Sequence, residues 1–253
     1  MGRSEGRTTT GQVALDDVAE GVLRLRMQDW SGNNSLSPRL TEAVLAALGE
    51  VEATPEAHVL MLCGMPNHFC SGASREVLES LAEGRMRPTE LGLARRLLEL
   101  EIPAIAACAG SAIGGGLVLA TACDIVIFAR ERRYGFNFMD LGITPGMGAT
   151  VLAEHVLGTA RAHELLYSGE FRLGAQLIPC PGVAAVAPSY EVEIRALDLA
   201  LRIASKRRRN LSMLKRVLTL DRRRRLEEAL TMESLMHESS LLEMDLDAMG
   251  DEG

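Results

Sequence analysis

An α/β domain built on a parallel sheet, continued by a helical C-terminal region, is the fold class this sequence predicts. Three observations predict it. Short apolar runs alternate with helical segments through the first half of the chain. Two small-residue turns, Phe69-Cys70-Ser71-Gly72-Ala73-Ser74 and Ala112-Ile113-Gly114-Gly115-Gly116-Leu117, follow two of those runs. After Gly146 the pattern turns mostly helical.

Gly21-Val22-Leu23-Arg24-Leu25-Arg26-Met27 alternates apolar and charged residues, the period of a half-buried strand. Asn33-Asn34-Ser35-Leu36-Ser37-Pro38 then gives a loop and a helix start, with proline in the first turn, where a missing N–H costs nothing. That helix runs to about Val51, with Leu40, Val44, Leu45 and Leu48 on one face. His58–Cys63, Ala104–Cys108 and Ile125–Phe128 are further strands, and their alternation with helices argues for crossover connections. Glu83-Gly84-Arg85-Met86-Arg87-Pro88 is polar and broken by glycine and proline; it reads as an active-site flap, followed by a helix from Thr89 to Leu98. The glycine run opens another helix. Helices at Ala149–Val156, Ala160–Ser168 and Leu173–Leu177 follow, then a strand at Gly182–Val186. Helices at Ser189–Ser205, about Asn210–Leu220 and Leu226–Leu242 finish the chain. The organisation is a disordered tail at 1–13, a core at 14–188 and a helical region at 189–253, with no internal repeat.

Hydrophobic residues make up 47% and charged residues 24%, the balance of a globular domain. No apolar run reaches membrane-spanning length, and Met1 to Thr10 lacks a secretory core. The five cysteines, Cys63, Cys70, Cys108, Cys123 and Cys180, show no metal spacing and argue for reduced thiols in a cytoplasm. A net charge of −7 opposes nucleic-acid binding. The basic residues nonetheless cluster, at Lys206-Arg207-Arg208-Arg209, Lys215-Arg216 and Arg222-Arg223-Arg224-Arg225. A solvated helix face and a dock for an acidic partner are the two readings of that cluster.

A strand feeding a glycine-rich helix start presents bare backbone N–H groups to negative charge. Two such turns, each offering one amide, are what a thioester enolate needs as an oxyanion hole, each donor contributing roughly 3 kcal/mol. A third loop, Leu141-Gly142-Ile143-Thr144-Pro145-Gly146-Met147-Gly148-Ala149-Thr150, leads into a helix start as well. Together these residues resemble the crotonase (enoyl-CoA hydratase/isomerase) superfamily, from about Gly21 to the C-terminal helices. Asn137-Phe138-Met139 followed by Thr144–Thr150 is most similar to one branch, the decarboxylases of polyketide β-branching (3-hydroxy-3-methylglutaryl-synthase) cassettes.

The resemblance implies a crotonase-like ββα spiral core whose C-terminal helices pack across neighbours in a homotrimer. By motif position the oxyanion amides are those of Ala73 and Gly115; close helix–strand packing is the alternative use of the glycine run. The two water-activating glutamates of a hydratase fall at Val118 and Phe138, neither of which can move a proton. With Phe136, they imply an apolar pocket, suited to losing a carboxylate rather than adding water. Asn137 stands between the phenylalanines and either donates into the pocket or holds its own loop. His237, in Met236-His237-Glu238, matches the branch's histidine and is suited to proton transfer. The branch's flap lysine is missing. Arg87 is its nearest counterpart and Arg85 the next in register; a guanidinium grips a carboxylate bidentately but gives up no proton. Solvent-facing loop charge is the other reading of both.

The implied reaction is decarboxylation of a 3-methylglutaconyl-type thioester to a 3-methylcrotonyl-type one. Its substrate rides on the phosphopantetheine of an acyl carrier protein or on CoA, with no metal, nucleotide or redox cofactor and no membrane partner. Isomerisation, hydration or hydrolysis of an acyl thioester, and carrier-protein binding without catalysis, are the alternatives.

Overall fold

The computed structural model describes residues 6–9, 11–83, 85–86 and 92–240. In chain order its elements are β1 (Gly6–Thr9), β2 (Val13–Ala19), β3 (Val22–Met27), α1 (Pro38–Glu52), β4 (Val59–Cys63), β5 (His68–Cys70), α2 (Arg75–Ala82), α3 (Leu93–Glu99), β6 (Ala104–Cys108), β7 (Ser111–Ile113), α4 (Gly115–Ala122), β8 (Ile125–Ala129) and β9 (Arg133–Gly135). There follow α5 (Ala149–Leu157), α6 (Thr159–Ser168), β10 (Phe171–Leu173), β11 (Val183–Ala187), α7 (Ser189–Ala204), α8 (Arg208–Leu218) and α9 (Leu220–Ser240).

Seven strands form one sheet in the order β1-β2-β3-β4-β6-β8-β11, antiparallel from β1 to β3 and parallel from β3 onward. Its central parallel strands β4, β6 and β8 are apolar on both faces because both faces are covered. Leu60, Leu62, Ala104, Ala106, Val126 and Phe128 point into the main core, shared with α1, α3, α4 and α5. Met61, Ile105, Ala107 and Ile127 point the other way, onto Val192, Ala196 and Ala200 of α7. Those three residues repeat every four positions, so they make one helical stripe. Four short strands form a second sheet, β10-β9-β7-β5, with β5, β7 and β9 parallel.

Ser37 caps α1 as its loop and Pro38 suggest, its Oγ accepting from Leu40 N. Three expectations need correction. Gly6–Thr9, assigned to a disordered tail, pairs with β2; the order comes from backbone pairing that no apolar pattern signals. The stretch after Ser74 begins with a helix, α2, capped by Ser74 Oγ on Val77 N. Leu226–Leu242 is not separate from the segment before it, since α9 runs unbroken from Leu220 to Ser240. Among the described residues no helix is long and apolar enough to cross a membrane.

Part of the basic cluster faces inward, contrary to both readings of it. Lys215 is buried, and its Nζ donates to the carbonyls of Leu97 (3.1 Å) and Ile102 (2.9 Å) and pairs with Asp124 at 2.9 Å. Arg222 reaches the same Asp124 at 3.1 Å. Burial pushes both cations down in pKa while Asp124 opposes that shift. The apolar residues of α8 point out instead: Met213, Leu214, Val217 and Leu218 are all exposed. Lys215 thus lies inside while the helix's large apolar side chains lie outside, beside the exposed Arg209 and Arg216.

Candidate active site

The two turns do not issue directly from the long apolar strands that suggested them. They leave the C-terminal ends of β5 and β7, which are parallel neighbours in the small sheet. Adjacent parallel strands deliver their following residues to one place. A methyl group on Gly72 would lie 3.6 Å from Gly115 N.

The first turn is aimed by the loop after β3. Asn34 is fully buried with a left-handed backbone (φ 56°), and its Nδ2 lies 3.1–3.2 Å from the carbonyls of Met27, His68 and Phe69. Its Oδ1 accepts from Asp29 N at 2.8 Å. That tie sets Leu36, whose N–H donates to the Gly72 carbonyl at 2.7 Å. In a trans peptide the N–H points opposite to the C=O, so the Ala73 N–H is directed away from Leu36.

The second turn is aimed by helix geometry. Gly114 adopts φ 51°, ψ −123°, a conformation open to glycine alone. Its carbonyl is taken by Leu117 N and Val118 N, which leaves Gly115 N–H at the open end of α4. Gly116 serves packing: a methyl there would fall within the contact radius of the Cys70 carbonyl oxygen. The glycine run therefore divides its labour. Neither Ala73 N–H nor Gly115 N–H is given to a protein acceptor among the described residues.

Both residues line a cavity of about 60 Å³. Leu78 and Leu81 of α2, Asn137, Phe138, Leu141, Ile143, Met147 and His237 complete most of its wall, and among the described residues no carboxylate lines it. Asn137 Oδ1 would lie 2.8 Å from a methyl on Gly114, so this side chain abuts the second turn.

His237 arrives on α9. It is buried, with Nδ1 3.1 Å from Thr144 Oγ1, and burial pushes it down to about 4 although a hydrogen bond with the Thr144 backbone acts the other way. At neutral pH it is therefore an uncharged imidazole, not the half-protonated one that an unperturbed histidine suggests. One turn earlier on α9, the buried Glu233 accepts from Gly148 N (2.6 Å), Thr150 N (3.0 Å) and Thr150 Oγ1 (2.7 Å). It caps the start of α5, and burial raises its carboxyl despite these bonds. Thr144 and Glu233 together fasten α9 to the loop that forms the cavity floor.

Of the residues singled out in the sequence, Ala73, Gly115, Asn137, Phe138 and His237 meet at this cavity. Val118 and Phe136 do not line it. They are fully buried in the main core, Phe136 stacked against Phe138 with ring centroids 6.2 Å apart. Arg85 is exposed, ion-paired with Glu83, with Nη1 donating to Ser80 Oγ at 3.3 Å, and is not on the cavity wall. Arg87 lies outside the described residues. Cys70 is buried and its thiol is pushed up to about 12, which rules out a thiolate nucleophile at neutral pH. Thr144, Met147 and Glu233 carried no assigned role in the sequence, although the first two lie in a quoted motif. The i, i+3 pair Leu78 and Leu81 was the available sign of α2.

The chain is similar to known proteins along most of its length. Residues 17–250 match the family model described as enoyl-CoA hydratase/isomerase. The bacillaene synthase decarboxylase PksI of Bacillus subtilis (strain 168) is 35% identical over 232 residues, covering 92% of this chain and 93% of that protein. A structure solved for a dehydratase/decarboxylase enzyme couple involved in polyketide β-branching superposes with a TM-score of 0.87 at 35% identity, covering 90% of each chain. The ECH2 decarboxylase domain of CurF from Lyngbya majuscula superposes with a TM-score of 0.87 at 31% identity, covering 95% of this chain and 98% of that one.

Proposed function

This chain belongs to the enoyl-CoA hydratase/isomerase (crotonase) family, and from that premise we propose that it is a decarboxylase of polyketide β-branching. It acts on a 3-methylglutaconyl-type thioester carried by an acyl carrier protein and leaves a 3-methylcrotonyl-type thioester. The observation that carries the reading is the pair of turns, Gly72-Ala73 and Gly114-Gly115, meeting at a cavity whose lining is mostly apolar and, among the described residues, holds no carboxylate. Similarity to decarboxylases named for the same chemistry supports it.

In this reading the thioester oxygen accepts from Ala73 N–H and Gly115 N–H. The bond to the leaving carboxylate breaks, carbon dioxide departs, and its electron pair becomes a dienolate spread onto that oxygen. The apolar wall strengthens the field of the two amides on the developing charge. One proton then restores a neutral product. His237 begins uncharged, so an anion beside it favours proton uptake by offsetting burial, and the imidazolium returns that proton to carbon. Arg87 is the residue assigned to orient the carboxylate, since Arg85 lies off the cavity wall. The reaction as written consumes only substrate and a proton.

Lys206, Arg207 and Arg209 are the exposed residues of the 206–209 run and fit the phosphate and acidic surface of a cytoplasmic carrier protein. The outward apolar row of α8 supports assembly as a homotrimer, because exposed Met213, Leu214, Val217 and Leu218 otherwise remain in water.

Mass spectrometry of the carrier-loaded substrate after incubation tests the reaction. Loss of the mass of carbon dioxide is expected. An unchanged mass with a moved double bond means isomerisation, gain of water means hydration, and an unloaded carrier means hydrolysis; each would replace this reading.

A further inference from the structure

Met147 has a left-handed backbone, φ 64°, between Gly146 and Gly148. Glycine accepts such a conformation without strain, yet this position carries a long thioether. The side chain is buried and forms part of the cavity wall. A methyl on Gly115 would lie 2.9 Å from the Met147 sulfur and 3.1 Å from Leu36 Cδ1, so both side chains close over the Cβ side of Gly115. Much of the surrounding wall is main chain at Gly72, Ala73, Gly114 and Gly146, which cannot reshape itself around a ligand. A methionine side chain can, through its three rotatable bonds. Met147 lines the same cavity as Ala73 and Gly115, so an acyl group entering it meets the thioether.

We propose that Met147 is a specificity-determining residue, its thioether setting the size of the branch that an acyl thioester carries at its β-carbon. The inference rests on the thioester reading of the site. With the carbonyl oxygen at Ala73 and Gly115, the carbons one and two bonds beyond the carbonyl meet the sulfur lying against Gly115. A methyl branch fits beside it, and an ethyl branch must displace it. A strained backbone maintained for a side chain at this point is the mark of a residue kept for what it touches.

The test uses amide analogues of pantetheine thioesters, one with a methyl and one with an ethyl branch at the β-carbon, and measures equilibrium binding to the full chain. The wild type should bind the methyl analogue about tenfold more tightly, since one methylene in a fitted pocket is worth at least that factor. Met147→Ala should reduce the ratio to about two. Met147→Leu, which keeps the volume, should retain it. Met147→Gly should lose it as well and melt above Met147→Ala, because the backbone there is left-handed. A ratio unchanged in both the alanine and glycine variants overturns the assignment. Binding needs no turnover, so the two readings fail separately. A wild type that releases no carbon dioxide but shows a Met147-dependent ratio refutes only decarboxylation. One that decarboxylates with a Met147-independent ratio refutes only this proposal. A chain that binds neither analogue overturns the thioester site and this proposal with it.

Discussion

The strand-end turns and the C-terminal helix reach the same cavity by opposite means. On the turn side the working groups are main-chain amides, aimed by parallel strands, a left-handed Gly114 and the Leu36 N–H. On the helix side they are buried side chains, His237 and Glu233, held by Thr144, Gly148 and Thr150. The first side has no group that titrates near neutrality and tolerates no added bulk. The second tolerates changes of shape better but depends on protonation. Backbone and side chain thus divide the site into a rigid half and a pH-dependent half.

The sharpest way to break the rigid half is to add atoms. Gly116→Val forces α4 away from the Cys70 carbonyl, and the expected cost is about 4 kcal/mol, visible as loss of folded protein in urea unfolding. A variant as stable as the wild type would mean the close approach of α4 to β5 is not needed. The helix half should break with acid instead. Native His237 stays neutral down to about 4, whereas in the unfolded chain it takes a proton below about 6.5. The unfolded state therefore binds more protons between those values, and stability falls as pH falls through that window. The wild type should lose about 3 kcal/mol more than His237→Gln between pH 7 and pH 4, measured by denaturant titration. Parallel curves would refute the buried neutral imidazole.

A smaller effect sharpens the contrast. Glu233→Gln keeps the shape but turns an NH₂ toward one of its donors, Gly148 N–H or the Thr150 pair. The expected loss is about 2 kcal/mol by thermal unfolding at neutral pH. Its acid dependence has the opposite sign to that of His237. A carboxyl raised by burial binds its proton earlier in the native state, so this group alone favours the fold as pH drops. A glutamine variant indistinguishable from wild type would show that α9 is held by packing alone.

Legibility in the sequence follows the same division. β4, β6 and β8 were readable because coverage on both faces makes them apolar throughout, and both turns were readable because glycine is the residue such geometry needs. The strands that feed the turns, β5 and β7, were not, since three residues carry no period. α2 was hidden in a segment whose polar end dominates its composition. The inward Lys215 and Arg222 could not be read locally, because Asp124, the partner that keeps them buried, lies about ninety residues away in the chain. His237 was identifiable by motif, but its uncharged state depends on burial beneath elements that only the fold assembles.

Asn34 carries a consequence for the lifetime of the protein. One primary amide holds three carbonyl oxygens and thereby sets the direction of the Leu36 N–H and the Gly72-Ala73 peptide. Asparagine is among the thermolabile residues, and deamidation replaces its NH₂ with an oxygen that only accepts. That exchange, the size of a single atom, would set a carboxylate against three carbonyls and turn a clasp into a repulsion. Chemical ageing at this position would disable the molecule through a residue that is not on the cavity wall.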